Sequence, residues 1–128
     1  MRVLLDSHAF LWYIGNDPQL SKSAEMHITA SAEAFVSVAT LWELSLKHSL
    51  GKLTLDQPPD QFFTDHLAKN SFLVLPIEPD HIYLAASLPQ SDHKDPFDRV
   101  LVAQSKIESL GLISSDRKLD QYGIQRVW

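Results

Sequence analysis

The chain has 128 residues, 45% of them hydrophobic and 21% charged, which is the composition of a globular domain long enough to bury a core. It contains no cysteine, which excludes disulfides, thiolate zinc sites and cysteine nucleophiles. The formal net charge of −5 argues against a protein that grips nucleic acid over a broad basic face, although a divalent metal bound by carboxylates would reverse the local charge.

The apolar runs of the chain are too short to cross a bilayer. The first of them is interrupted by Asp6, at a point where a signal peptide would continue its apolar region. We therefore expect a cytoplasmic protein that does not contact a membrane, with residues 1–128 forming a single domain.

Strands and helices alternate along the predicted chain. Apolar runs and turn residues predict strands at 3–5, 34–38, 72–77, 112–115 and 124–128, and helices at 7–14, 21–32, 41–50, 61–70, 79–88 and 96–110. Gly111 is expected to end the last helix in the left-handed conformation. The alternation is typical of an α/β fold with helices on both faces of a mostly parallel sheet of four to five strands. Ligands of such sheets bind at the carboxyl ends of the strands.

Acidic residues follow the first two predicted strands. Asp6 stands directly after the first strand, and its alternative role is to cap the helix that follows. Glu43 lies one to two turns into the helix after the second strand, and its alternative role is an i, i+4 ion pair with Lys47. An apolar stripe beside Glu43 recurs every four residues, at Trp42, Leu46 and Leu50, and Leu41 and Leu44 widen it. Trp42 belongs either to the core or to a surface that another protein covers.

The start of the helix at 96–110 is the most distinctive stretch of the chain. Asp95 before Pro96 is a strong helix-start signal, because Asp caps a first turn well and Pro is tolerated at the next position. Asp98 then lies in the first turn, where the helix dipole favours an anion. Arg99 is either a ligand of a substrate phosphate or a partner of neighbouring carboxylates.

A further carboxylate, Asp116, follows the fourth predicted strand, so acidic residues from separate parts of the chain are expected at one edge of the sheet. Several carboxylates share a pocket only when a cation offsets their repulsion. Oxygen ligands favour Mg2+ or Mn2+ over zinc, and such ions suit the hydrolysis of phosphodiesters.

These residues resemble the motifs of PIN-domain nucleases and, more narrowly, of the VapC-type toxins of bacterial toxin–antitoxin pairs. The similarity covers nearly all of the chain, and its most specific part is Asp-Pro-Phe-Asp-Arg at 95–99. The other matching residues are Asp6 after a strand, Trp42-Glu43-Leu44 in a helix, His93-Lys94 before the helix start, Val102-Ala103-Gln104 within it, and Ser115-Asp116 after a short strand.

The resemblance implies a PIN-like three-layer α/β/α fold and an endoribonuclease that depends on Mg2+ or Mn2+. It also implies an RNA substrate, a cognate VapB-type antitoxin that inhibits the enzyme, and a homodimer. Asp6, Glu43 and Asp98 match the acidic triad of the family, and Asp116 matches its fourth, more variable acidic position. Asp95 is an additional candidate metal ligand.

Two other functions stay open: a catalytically silent PIN fold that binds RNA or protein, and a phospho-receiver signalling domain. A receiver would need an aspartate after a central third strand, and the predicted strand at 72–77 is followed by Glu78 instead. Arg99 stays a candidate for substrate binding. His8 and His93 are interpreted as structural residues, because water activated by a metal ion needs no histidine base.

Overall fold

The computed structural model describes residues 1–90 and 94–128. Their strands are β1 Arg2–Leu5, β2 Glu33–Ser37, β3 Leu73–Leu75, β4 Gly111–Ile113 and β5 Arg126–Val127. Their α-helices are α1 Ser7–Ile14, α2 Lys22–Thr29, α3 Val38–Ser49, α4 Pro59–Lys69, α5 Pro79–Ser87 and α6 Pro96–Glu108, and a 3₁₀ helix covers Arg117–Tyr122.

The five strands form one sheet in the order β3-β2-β1-β4-β5, and all neighbouring strands are parallel. The chain builds the sheet outward from β1 through β2 to β3, and then returns to the other side of β1 with β4 and β5. The order therefore reverses between β1 and β4. In open parallel sheets, ligands bind outside the carboxyl ends of the strands at such a reversal point.

Two apolar cores cover the two faces of the sheet, as alternation along a strand requires. Val3 and Leu5 of β1 belong to the core beneath α1, α2 and α4, whereas Leu4 belongs to the core beneath α5 and α6. All three side chains are fully buried. The three-layer α/β/α architecture and the parallel sheet predicted from the sequence are confirmed.

Acidic and hydroxyl side chains begin the helices at the carboxyl edge of the sheet. Asp6 caps α1, Ser37 caps α3 and Asp95 caps α6, each by accepting backbone N–H groups of the first turn. Only Asp6 separates β1 from α1, and α3 follows β2 without a linker. These junctions hold the first turns of both helices close to the strand ends.

The apolar stripe of α3 divides between the surface and the core, where Leu44 is buried. Trp42 is 62% exposed, and Leu46 and Leu50 are exposed as well. The helix instead buries the face that carries Ala39, Thr40, Glu43 and Leu44. Trp42 remains in contact with α6 through an edge-to-face packing with Phe97, with ring centroids 5.0 Å apart.

Two boundaries also differ from the sequence prediction. The helix α6 ends at Glu108, and Ser109, rather than Gly111, takes the left-handed conformation with φ 56°. Gly111 instead opens β4. The strand β3 has three residues at the edge of the sheet, where Leu73 and Val74 are exposed, so it is not the buried strand expected at 72–77. Among the described residues, no helix has the length and apolar character needed to cross a membrane.

Candidate active site

Asp6 lies at the carboxyl end of the central strand β1, beside the reversal point of the sheet. It is 8% exposed and accepts a hydrogen bond from the Ala9 backbone N–H at 2.8 Å. Burial raises the pKa of the Asp6 carboxyl, and a hydrogen bond from the Ser114 hydroxyl offsets part of this effect. The negative charge of Glu43 raises the same pKa, so the two carboxylates lie within electrostatic reach of each other.

Glu43 is buried in the second turn of α3, and both of its carboxylate oxygens have partners. The Ser7 hydroxyl donates to Glu43 Oε1 at 2.5 Å, and Thr40 Oγ1 lies 3.3 Å from the same hydroxyl. The Lys47 ammonium donates to Glu43 Oε2 at 2.8 Å. The i, i+4 ion pair considered from the sequence is therefore present, but on a carboxylate that is almost fully buried.

The first turn of α6 brings two more carboxylates to this place. Asp95 Oδ1 accepts the backbone N–H groups of Phe97 at 2.9 Å and Asp98 at 3.1 Å, which is the predicted helix cap. The Lys47 ammonium has a raised pKa, chiefly because of its hydrogen bond to Glu43 and also because of the charges of Asp95 and Asp98. The Lys47 ammonium therefore contacts a carboxylate of α3 and lies within electrostatic reach of two carboxylates at the start of α6.

Asp116 joins this region through a hydroxyl group. Its backbone N–H donates to Ser114 Oγ at 3.1 Å, and the Ser114 hydroxyl bonds to Asp6. The Asp116 carboxylate accepts the Lys118 backbone N–H at 3.0 Å and caps the 3₁₀ helix. Its charge also acts on Arg126. Asp116 therefore lies at the β4 side of the site.

We define the acidic cluster as Asp6, Glu43, Asp95 and Asp98. As their side chains stand, no three Asp, Glu or His side chains within residues 1–90 and 94–128 form a group that could hold a metal ion. The donor set nevertheless fits a hard cation, because all its ligands are carboxylate oxygens and the Lys47 ammonium already sits against one of them. Which side chains would coordinate an ion stays a prediction.

Arg99 points to the end of a neighbouring helix. Its guanidinium donates to the backbone carbonyls of Leu88 at 2.7 Å, Ala85 at 3.2 Å and Pro89 at 3.3 Å. These carbonyls belong to the last turn of α5 and the residues after it, which have no partner within the helix. The contacts stabilise the α5 terminus, and the predicted contact of Arg99 with a substrate phosphate stays a prediction.

Replacing Arg99 by methionine separates these two roles. We expect the variant to lose about 1–3 kcal/mol of unfolding free energy in urea, because hydrogen bonds from a charged group stabilise by that amount. The exposed Arg117→Met substitution is the control and should leave stability unchanged. Unchanged stability of Arg99→Met together with weakened RNA binding would contradict the capping role.

The sequence interpretation missed two hydroxyl groups that hold the carboxylates. Ser7 and Ser114 carry no predicted role, although Ser7 directly follows Asp6 and Ser114 directly follows β4, two residues before Asp116. His8 is exposed and stacks on Trp12, with ring centroids 5.3 Å apart. His93 lies outside the described residues.

Comparisons with known proteins identify the family of the chain. The PIN domain family matches residues 3–125 of the chain. A Mycobacterium tuberculosis protein named Ribonuclease VapC22 is 30% identical over 117 residues, which cover 91% of this chain and 88% of that protein.

Solved structures share the fold at low sequence identity. One is VapBC2 from Rickettsia felis bound to a DNA fragment from their promoter, with a TM-score of 0.66, 11% identity and coverage of 95% of this chain and 93% of that one. Another is DNA-bound VapBC from Salmonella typhimurium, with a TM-score of 0.66, 16% identity and coverage of 98% and 96%. The resemblance predicted from the motifs is confirmed, since the family match extends over almost the whole sequence: the chain belongs to the PIN-domain family.

Proposed function

We propose that this protein is an endoribonuclease of the VapC type, which hydrolyses RNA phosphodiester bonds with Mg2+ or Mn2+. The observation that carries the proposal is the acidic cluster at the reversal point of the sheet, with the ammonium of Lys47 set against it. A PIN-domain match and a relative named as a ribonuclease support the same chemistry. A hard divalent ion is the partner that such a cluster of oxygen ligands favours.

Asp6, Glu43 and Asp98 are the proposed metal ligands, with Asp116 as a fourth acidic group and Asp95 as a fifth. When bound, the ion would lower the pKa of the attacking water and offset negative charge on the phosphate. The chain itself supplies positioning, because hydroxyl groups restrict the rotation of two of these side chains.

The two other functions make different demands on the structure. A phospho-receiver would need an acid after a central third strand, but β3 is an edge strand and Pro76 follows it. The edge position of β3 and the proline after it therefore argue against a receiver domain. A silent PIN-fold binding module has the same fold as the enzyme, so only an activity measurement separates the two.

An inhibitory antitoxin and a homodimer complete the proposal. The solved neighbours named VapBC are complexes, and the relative is named VapC22, which supports a VapB-type partner for this chain. The chain also carries exposed apolar side chains on α3 and α5, including Trp42 and Tyr83, which is 69% exposed. Trp42 and Ile82 line one apolar groove between these helices, and a contiguous apolar surface is typical of sites that bind other proteins.

The proposal is tested by incubating the purified chain with pools of tRNA, rRNA and mRNA. We expect discrete cleavage products with Mg2+ or Mn2+ and none with EDTA. Cleavage that persists in EDTA would contradict the metal requirement. Binding of RNA without cleavage of any pool would instead favour the silent binding module.

A further inference from the structure

Lys47 connects the surface of the protein to the interior of the acidic cluster. Its side chain is 43% exposed, whereas that of its partner Glu43 is 9% exposed. The ammonium reaches from solvent to Glu43 Oε2 at 2.8 Å, one helical turn before it in the sequence. The pair therefore differs from a surface ion pair, in which both side chains remain hydrated.

The surroundings of this ammonium make it the counter-ion of several acids. The charges of Glu43, Asp95 and Asp98 all favour its ionised form. The other oxygen of Glu43 is already held by the Ser7 hydroxyl, so the carboxylate has a defined orientation when it accepts the ammonium. An ordinary i, i+4 pair on a helix surface has neither the second contact nor the further acids.

A divalent ion that takes Glu43 as a ligand needs the same oxygen atoms and the same negative potential. A divalent ion and the Lys47 ammonium that both contact the Glu43 carboxylate repel each other. The repulsion is strong because the carboxylate is buried. The ammonium must therefore move away or share the carboxylate when an ion binds. Either response lowers the affinity for the ion.

We propose that Lys47 is a built-in cation of the acidic cluster, a positioning residue that competes with the divalent ion for Glu43 and thereby sets the metal affinity of the site. The inference rests on the proposed function, since it assigns the ion to the acidic cluster. It makes two separate predictions, one with metal and one without.

The first experiment measures Mn2+ binding to the full chain by the EPR signal of free Mn2+. Lys47→Met keeps the length of the side chain and removes its charge, and we expect it to bind Mn2+ about tenfold more tightly than the wild type, or tighter still. Lys47→Arg keeps the charge and should bind Mn2+ within about threefold of the wild type. The control is Lys22→Met, which removes the same charge from an exposed position at the start of α2 and should not alter the dissociation constant.

The second experiment measures thermal unfolding in EDTA, where the ammonium is expected to be the main counter-charge. Lys47→Met should melt about 4 °C below the wild type, because Glu43 loses its ion pair while remaining buried. Adding Glu43→Gln removes the uncompensated charge and should restore the melting temperature. Equal melting of Lys47→Met and the wild type would overturn the counter-ion role.

The outcomes separate the inference from the proposed function. A wild type that binds no Mn2+ and cleaves no RNA overturns both. A wild type that binds Mn2+, with Lys47→Met binding equally or more weakly, overturns only the competition. Weaker binding would mean that Lys47 orients Glu43 for the ion.

Discussion

Replacing Asp98 by asparagine is expected to lower RNA cleavage by about a hundred- to a thousandfold, the usual scale for the loss of one electrostatic group at a reacting phosphate or carbonyl. Asparagine has the same shape, and the Asp98 backbone N–H still donates to Asp95, so the first turn of α6 is retained. The change removes a negative charge from the acidic cluster and replaces one carboxylate oxygen by an amide NH2 group. Stability in EDTA should stay within about 1 kcal/mol of the wild type.

The measurement is cleavage of end-labelled RNA with Mg2+ at equal concentrations of folded protein. Asp60→Asn is the matched control, because Asp60 is an exposed aspartate in the first turn of another helix, α4. It should cleave RNA like the wild type. If the chain arrests bacterial growth on expression, Asp98→Asn should relieve the arrest and Asp60→Asn should not. Full activity of Asp98→Asn would remove Asp98 from the site.

Much of this site could be predicted because two of its acids, Asp6 and Asp95, stand directly before a helix. A short apolar run followed by Asp6, and Asp95 before Pro96, are local signals that the structure reproduces as helix caps. The parallel sheet then brings the ends of its strands, and the helix starts that follow them, to one edge. The helix-cap signals and the parallel topology therefore both point to the carboxyl edge of the sheet, and neither requires knowledge of a side-chain contact.

The contacts that orient the carboxylates could not be predicted in this way. The bond of Ser7 to Glu43 and that of Ser114 to Asp6 join residues far apart in sequence, and neither serine belongs to a periodic pattern. The environment of Trp42, Leu46 and Leu50 could not be predicted for a related reason. Periodicity identifies an apolar face but does not say whether the core covers it, and α3 is held with the adjacent, Glu43-bearing face inward.

The replacement of Asp6 by asparagine is expected to stabilise the protein in EDTA by about 1 kcal/mol at neutral pH. Asparagine caps a helix as well as aspartate does, so the bond from the Ala9 backbone N–H is kept. What is lost is a carboxylate whose pKa is raised above 3.8, chiefly by burial and also by the charge of Glu43. The proposed role of Asp6 as a metal ligand would therefore carry a cost in stability.

The stability difference between Asp6→Asn and the wild type should depend on pH in a defined direction. Because the folded state binds the Asp6 proton more tightly than the unfolded state, the carboxyl stabilises the fold below pH 3.8 relative to higher pH, and this contribution is lost as the pH rises through the folded-state pKa. The advantage of Asp6→Asn should therefore be small near the ordinary aspartate pKa and grow towards neutral pH. A constant advantage at all pH values would show that the ionisation of Asp6 is not its cause.

Adding Mg2+ should reverse the order of the two proteins. We expect the ion to bind the folded wild type and raise its melting temperature. A ligand that binds only the folded state adds stability that grows with the logarithm of the ratio of its concentration to the dissociation constant. Asp6→Asn lacks one proposed ligand and should respond weakly, whereas the control Asp60→Asn should respond like the wild type. An equal rise in Asp6→Asn and the wild type would place the ion elsewhere. A metal ligand at this position should destabilise the fold without the ion and stabilise it when the ion is bound. Helix capping by Asp6 alone explains neither of these two effects.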